Sequence, residues 1–146
     1  MLASALWYAA HGLYVFPLHS LMGDGLCSCA QRDCTSPGKH PITAHGLLDG
    51  TRDEKVIRAW WGRSCPEANI GIQTGAGSGV VVVDIDPAKG GLAAWAEVVG
   101  GEAPPVTREC LTGGGGNHLY FRHPGEKIAT GTNVLGPGID IRGDGG

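Results

Sequence analysis

The chain has 146 residues, 42% hydrophobic and 17% charged, which is enough apolar material for one domain's core and excludes a wholly disordered protein. Its formal net charge of -3 excludes a generic basic nucleic-acid coat protein. Glycine is over-represented, at 26 residues, but the glycines gather at 71–79, 113–116 and 136–146 with no period of three, which excludes a collagen repeat.

Residues 1–23 contain no Asp, Glu, Lys or Arg. The stretch has no basic N-terminal region, as a signal peptide would, and His11, Gly12, Pro17 and His19 interrupt it before it could span a bilayer. It is predicted to form a helix over Ala3–Ala10 and a buried strand over Tyr14–Leu18, in a cytoplasmic protein. A polar loop, 23–45, follows. Asp53–Trp61 is predicted as a helix capped by Thr51 or Asp53, with Val56, Ile57, Trp60 and Trp61 on its core side. Asn69–Gln73 and Gly79–Ile85 read as strands around a glycine turn. Gly90–Val99 reads as a helix burying Leu92, Trp95, Ala96 and Val99. Val106–Leu111, His118–Arg122 and Gly138–Arg142 are short strands bounded by glycine and proline. The expected fold is α/β of the α+β kind, a mixed, antiparallel-rich sheet with flanking helices.

Four segments carry chemistry. The first is Val80-Val81-Val82-Val83-Asp84-Ile85-Asp86, a valine run typical of a strand buried on both faces. A period of two puts Asp84 and Asp86 on the same side, about 6–7 Å apart. They either hold a hard cation such as Mg²⁺ or Mn²⁺ or merely mark the strand end before Pro87. The second is the run Gly113–Gly116 before Asn117 and His118. It is either a backbone cradle for an anion or a flexible hairpin turn. No Gly-Lys-Ser/Thr follows it, so it is not a P-loop. The glycines at 75, 77 and 79 lead into a strand, so they are not a dinucleotide fingerprint.

The third segment places Asp140 between Ile139 and Ile141, its carboxylate opposite the two isoleucines. It is either an exposed acid on an edge strand or a third carboxylate for a two-metal site. The fourth is Cys27, Cys29, Cys34 and His40, three thiolates and an imidazole suited to tetrahedral Zn²⁺, with His45 in reserve and free thiols as the alternative. The odd cysteine count argues against a disulfide framework, and Cys65 and Cys110 have no evident partner.

In this order the segments resemble the bifunctional primase–polymerase (prim-pol) N-terminal domain of the archaeo-eukaryotic primase superfamily. The resemblance runs almost end to end. It starts at Ala5-Leu6-x-Tyr8-Ala9-x-x-Gly12 and passes through Ser36-Pro37-Gly38-Lys39-His40-Pro41, Trp60-Trp61 and Asn69-Ile70-Gly71-Ile72 with Thr74-Gly75. It continues through Val83-Asp84-Ile85-Asp86 and Asn117-His118-Leu119-Tyr120-Phe121 to Gly138-Ile139-Asp140-Ile141-Arg142-Gly143. It implies an RRM-like catalytic core, with a zinc-binding loop over about 23–45 inside one catalytic domain, 1–146. It implies that Asp84, Asp86 and Asp140 bind two Mg²⁺ or Mn²⁺ ions and that Cys27, Cys29, Cys34 and His40 bind zinc. His118, Asn117, Gly115, Gly116 and Arg142 are expected at the nucleotide's phosphates, with His118 also counted as catalytic.

Two departures are visible. Gly116 stands where serine is frequent in the family. The family also continues past Arg142-Gly143-Asp144-Gly145-Gly146 into another strand, so the chain is expected to be C-terminally truncated. The resemblance implies template-directed nucleotidyl transfer on single-stranded DNA, with nucleoside triphosphates as substrates. The expected setting is replication of a phage, plasmid or other mobile element, beside a downstream helicase domain. The alternatives are a non-catalytic, zinc-stabilised nucleic-acid-binding module, which has no need of an acidic cluster, and a metal-dependent phosphohydrolase, in which water replaces the primer hydroxyl.

Overall fold

The computed structural model describes residues 1–146, which form two compact units, Met1–Gln73 and Thr74–Gly146. The mixed, antiparallel architecture expected from the sequence is present in the order α-β-α-β-β-α-β-β-β.

In the first unit, α1 (Leu2–Ala10) is an uncharged helix that buries Ala5. β1 (Val15–Leu18) pairs antiparallel with β2 (Asn69–Ile72), from Val15 opposite Ile72 to Leu18 opposite Asn69. Between them lies α2 (Glu54–Ala59), whose Asp53 cap accepts a 2.7 Å bond from the Lys55 amide; the helix runs on as a wider π-type turn, Trp60–Ser64. Ala5, Val15, Ile57, Trp61 and Ala68 form the core, and the Trp61 indole N–H donates to the Ala68 carbonyl at 3.0 Å, so the large ring is buried with its one polar atom satisfied. Val56, expected in this core, is exposed instead. The helix is only six residues long, and Ile57 and Trp61, four apart, take its buried stripe.

The second unit is a four-stranded antiparallel sheet in the order β4-β5-β3-β6. Its strands are β3 (Val80–Ile85), β4 (Arg108–Leu111), β5 (Asn117–Arg122) and β6 (Ile139–Arg142). β3 lies between β5 and β6, as its valine run requires, and packs Val81, Val83 and Ile85 with Leu119, Ile139, Ile141 and Ala94. α3 (Gly91–Val98) covers this face differently from the expectation. Leu92 and Ala96 face solvent, while Gly91 and Ala94 are buried and Trp95 packs on the core. The cause is close approach: a Cβ on Gly91 would lie 2.6 Å from the Gly138 carbonyl and 2.7 Å from that of Asp86, so the helix docks by its smallest side chains.

β2 and β3, which the sequence reading set around one glycine turn, pair into different sheets. β4 is an edge strand exposed at all four positions. At the far end of the sheet from Ile85, the Asp144 carboxylate accepts bonds from the amides of Ala76 and Ile128, both at 2.9 Å. No helix is long and apolar enough to cross a membrane.

Candidate functional site

The alternation that sends Val83 and Ile85 into the core turns Asp84 to the other face of β3. Register then builds a row across three strands, with Asp84 opposite His118 of β5 on one side and opposite Asp140 of β6 on the other. All three side chains are partly buried. His118 Nε2 lies 3.3 Å from Asp84 Oδ1, and its ring meets that of Tyr120 edge to face. A single nitrogen of Arg142 donates to Asp84 Oδ2 at 2.9 Å and to Asp140 Oδ2 at 3.0 Å. Two carboxylates in direct register repel each other, and this shared guanidinium compensates them. The other oxygen of Asp140, Oδ1, accepts from the Asn133 amide at 3.0 Å.

Asp86 lies just past the strand end and is engaged elsewhere. Its carboxylate caps a short 3-10 turn, Pro87–Lys89, through the Ala88 amide at 3.0 Å, and pairs with Lys89 at 3.1 Å. Lys89 above all, helped by the Ala88 amide and opposed by burial, holds the Asp86 carboxyl below its ordinary value. Asp84 and Asp140 are thus brought together, whereas Asp86 is turned to its own helical turn.

The glycine run forms the turn between β4 and β5. The Gly115 amide donates to the Thr112 carbonyl and the Gly116 amide to Thr112 Oγ1, both at 3.0 Å. A Cβ on Gly116 would sit 2.3 Å from the Ile85 carbonyl, so glycine is what lets the turn rest against the end of β3. Asn117 bonds through its side-chain amide to Glu109 across the hairpin.

In the first unit, Cys27, Cys29, Cys34 and His40 offer ligand atoms that all lie within 4.8 Å of one another. His40 Nε2 is 3.4 Å from Cys27 Sγ and 3.5 Å from Cys34 Sγ. Tetrahedral zinc, with Zn–S about 2.3 Å and Zn–N about 2.0 Å, requires an S···N edge of about 3.5 Å, so the donor set and its spacing fit that ion. The tight Cys-x-Cys spacing is accommodated by a turn in which Ala30, at φ +60°, bonds back to the Cys27 carbonyl. Burial raises the Cys27 thiol's pKa, but the Cys29 and Gly38 amides, with Cys29 and His40, outweigh it and bring the value to about 6. Burial, together with the neighbouring thiols of Cys27 and Cys29, raises the Cys34 thiol's pKa. His45 lies outside the cluster, paired with Asp49 at 3.0 Å.

Comparison with known families matches residues 5–146 to the bifunctional DNA primase/polymerase N-terminal domain, Prim-Pol. The chain belongs to that family. No curated protein matches it. Membership of Prim-Pol supports a nucleotidyl-transfer role of the primase/polymerase kind for the domain, with DNA and nucleotides as substrates.

Three features of this Prim-Pol domain escaped the sequence reading. Arg142 was expected at phosphates, but its bridge between Asp84 and Asp140 depends on a register that no local pattern displays. Asn133 carries a single local signal, an asparagine, a residue tolerant of left-handed backbone, before a Gly-Pro-Gly loop. The His19 ring lies tilted beside that of His40, with centroids 4.4 Å apart, and its Nδ1 is 2.9 Å from Ser28 Oγ, which places a second imidazole against the Cys/His cluster. Burial, and then His40, push the His19 imidazole below its ordinary value.

Proposed function

We propose that this Prim-Pol domain performs template-directed nucleotidyl transfer by a two-metal mechanism. In that reaction the primer 3′-hydroxyl oxygen bonds to the α-phosphorus of a nucleoside triphosphate as the bond to pyrophosphate breaks. The observation that carries the reading is the His118–Asp84–Asp140 row, with Arg142 shared between its two acids.

Asp84 and Asp140 would hold Mg²⁺ or Mn²⁺, and Asp86 would join them on parting from Lys89. The fit rests on hard oxygen donors, directly opposed on neighbouring strands and already gathered around one positive charge. Bound there, the two ions would supply a more acidic 3′-hydroxyl and neutralise charge on the triphosphate. Arg142, released from the carboxylates, is then free to donate to phosphate oxygens from the same face. His118, whose Nε2 lies 3.3 Å from Asp84 Oδ1, is one strand away and can turn a ring N–H to the same phosphates. The amides of Gly113 and Gly114, which no hydrogen bond within the turn uses, offer two further donors, while Gly115 and Gly116 shape the turn. Cys27, Cys29, Cys34 and His40 would hold one structural zinc. The setting that goes with this reading is replication of a mobile element on single-stranded template, alongside a helicase.

Primer extension with a labelled nucleotide and Mn²⁺ tests the proposal. Extended products from the wild type, reduced at least about 100-fold in Asp84→Asn and in Asp140→Asn, support it. Nucleotide dephosphorylated or primer shortened, without extension, would instead assign the carboxylates to a phosphohydrolase. DNA binding with neither reaction would leave a zinc-stabilised binding module.

A further inference from the structure

We infer that Asn133 is a positioning residue that sets the Asp140 carboxylate relative to Asp86, and thereby the divalent-ion affinity of the site; this rests on the two-metal reading above. Three hydrogen bonds run in series. The Asn133 amide donates to Asp140 Oδ1 at 3.0 Å, Asn133 Oδ1 accepts from the Gly138 amide at 2.8 Å, and the Gly138 carbonyl accepts from the Asp86 amide at 2.8 Å. One residue therefore joins the side chain of one acid to the backbone of another, from a loop that belongs to neither strand.

The geometry is specific. Asn133 has φ +53°, a left-handed conformation that disfavours most side chains and that asparagine tolerates. In that conformation its amide turns to Asp140 while its side chain turns to Gly138. Gly138, at φ +70°, closes the other end of the loop, where a Cβ would lie 2.8 Å from the Asp86 carbonyl. With Oδ1 held by Asn133 and Oδ2 by Arg142, the Asp140 carboxylate has a fixed orientation. Groups that orient a metal ligand typically change affinity about 10–100-fold when removed.

Three variants and one spectrum test this, read by direct Mn²⁺ binding without nucleotide or turnover. Asn133→Gly accepts the positive φ and keeps the amide but deletes the acceptor for Gly138; Asn133→Asp keeps that acceptor. The expected result is Mn²⁺ affinity about 10-fold weaker in Asn133→Gly and within about 2-fold of wild type in Asn133→Asp. Wild-type affinity in a folded Asn133→Gly overturns the inference while leaving the two-metal reading intact, provided Asp140→Asn abolishes binding. Failure of the wild type itself to bind Mn²⁺ overturns both. Should Asn133→Gly fail to fold, amide resonances of the wild type decide: Asn133 and Gly138 shift together on Mg²⁺ titration. If Asp140 shifts and those two do not, the inference falls.

Discussion

Asp84 and Asp140 face each other in direct register across β3 and β6, and one nitrogen of Arg142 bonds to both. The arrangement makes Arg142 a counter-ion in the absence of divalent metal. Removing it leaves two partly buried carboxylates opposed with no guanidinium between them.

Arg142→Gln should therefore lower metal-free stability by about 1 kcal/mol, a modest figure because the guanidinium is itself partly exposed. Millimolar Mn²⁺ should raise its melting temperature by more than it raises that of wild type, since the ion replaces a charge the variant lacks. Thermal melts of both proteins with and without Mn²⁺ check this. An equal metal response in the two would separate Arg142 from the carboxylate pair.

The double variant Asp84→Asn, Asp86→Asn should lose the melting response to Mn²⁺ altogether. Carboxylate repulsion alone would predict a metal-free protein as stable as wild type or more so. The ion pair from Arg142 to Asp84 opposes that gain, so the expected metal-free change is within about 1 kcal/mol of zero. A large loss of metal-free stability together with an unchanged metal response would make both acids structural.

What the sequence revealed, and what it concealed, follows from the range of the forces involved. The period of two on β3, the Asp53 cap of α2, the helical spacing of apolar residues and the Cys/His spacing are local, and they carried strands, helices and the cluster of Cys27, Cys29, Cys34 and His40. Asp140 was placed on the correct face because Ile139 and Ile141 flank it. Which strands pair was not legible. Asp84 meets His118 and Asp140 only because β3 lies between β5 and β6, a register set by residues 34 and 56 positions away. The solvent-facing sides of Val56 and Leu92 were misjudged for a related reason, since apolar spacing alone does not tell which side of a short helix its neighbour approaches. The close approach of Gly91 to the Gly138 carbonyl settles that for α3.

Purified under reducing, chelator-free conditions, the protein should contain about one zinc per chain. Cys34→Ser should release it and make the loop around residues 27–40 more sensitive to protease. The sequence alone allowed free thiols here; the 3.4 Å and 3.5 Å separations of His40 Nε2 from two sulfurs favour the metal. Zinc absent from correctly folded protein by elemental analysis would return these cysteines to free thiols.

In the first core, Ile57 is fully buried against Ala5, Val15 and Trp61. Ile57→Ala should cost about 2–5 kcal/mol, the usual range for such a truncation. Val56→Ala, one residue away but exposed, should cost less than about 1 kcal/mol. Chemical denaturation of the two variants measures the contrast, and equal losses would mean that α2 is rotated from the orientation described.

Asp144 provides a pH signature at the end of the sheet away from Ile85. The amides of Ala76 and Ile128, opposed by burial and aided by His123, hold its carboxyl below the ordinary value of 3.8. A carboxyl with a depressed folded-state pKa adds stability above its unfolded value, and that stability is lost as pH falls through the folded one. Asp144→Asn should therefore be less stable than wild type at pH 7, and the gap should begin to close only as pH falls toward 4 and below. His123 pairs with the same carboxylate at 3.4 Å, from a nearly buried ring whose Nε2 has no properly formed hydrogen bond. That long contact is a weaker tie than the two 2.9 Å amide bonds, so His123→Gln should leave most of the pH dependence in place. Unfolding measured from pH 3 to pH 7 on the three proteins checks the ordering. If His123→Gln removed the dependence as fully as Asp144→Asn does, the imidazole rather than the backbone amides would be what stabilises the charge.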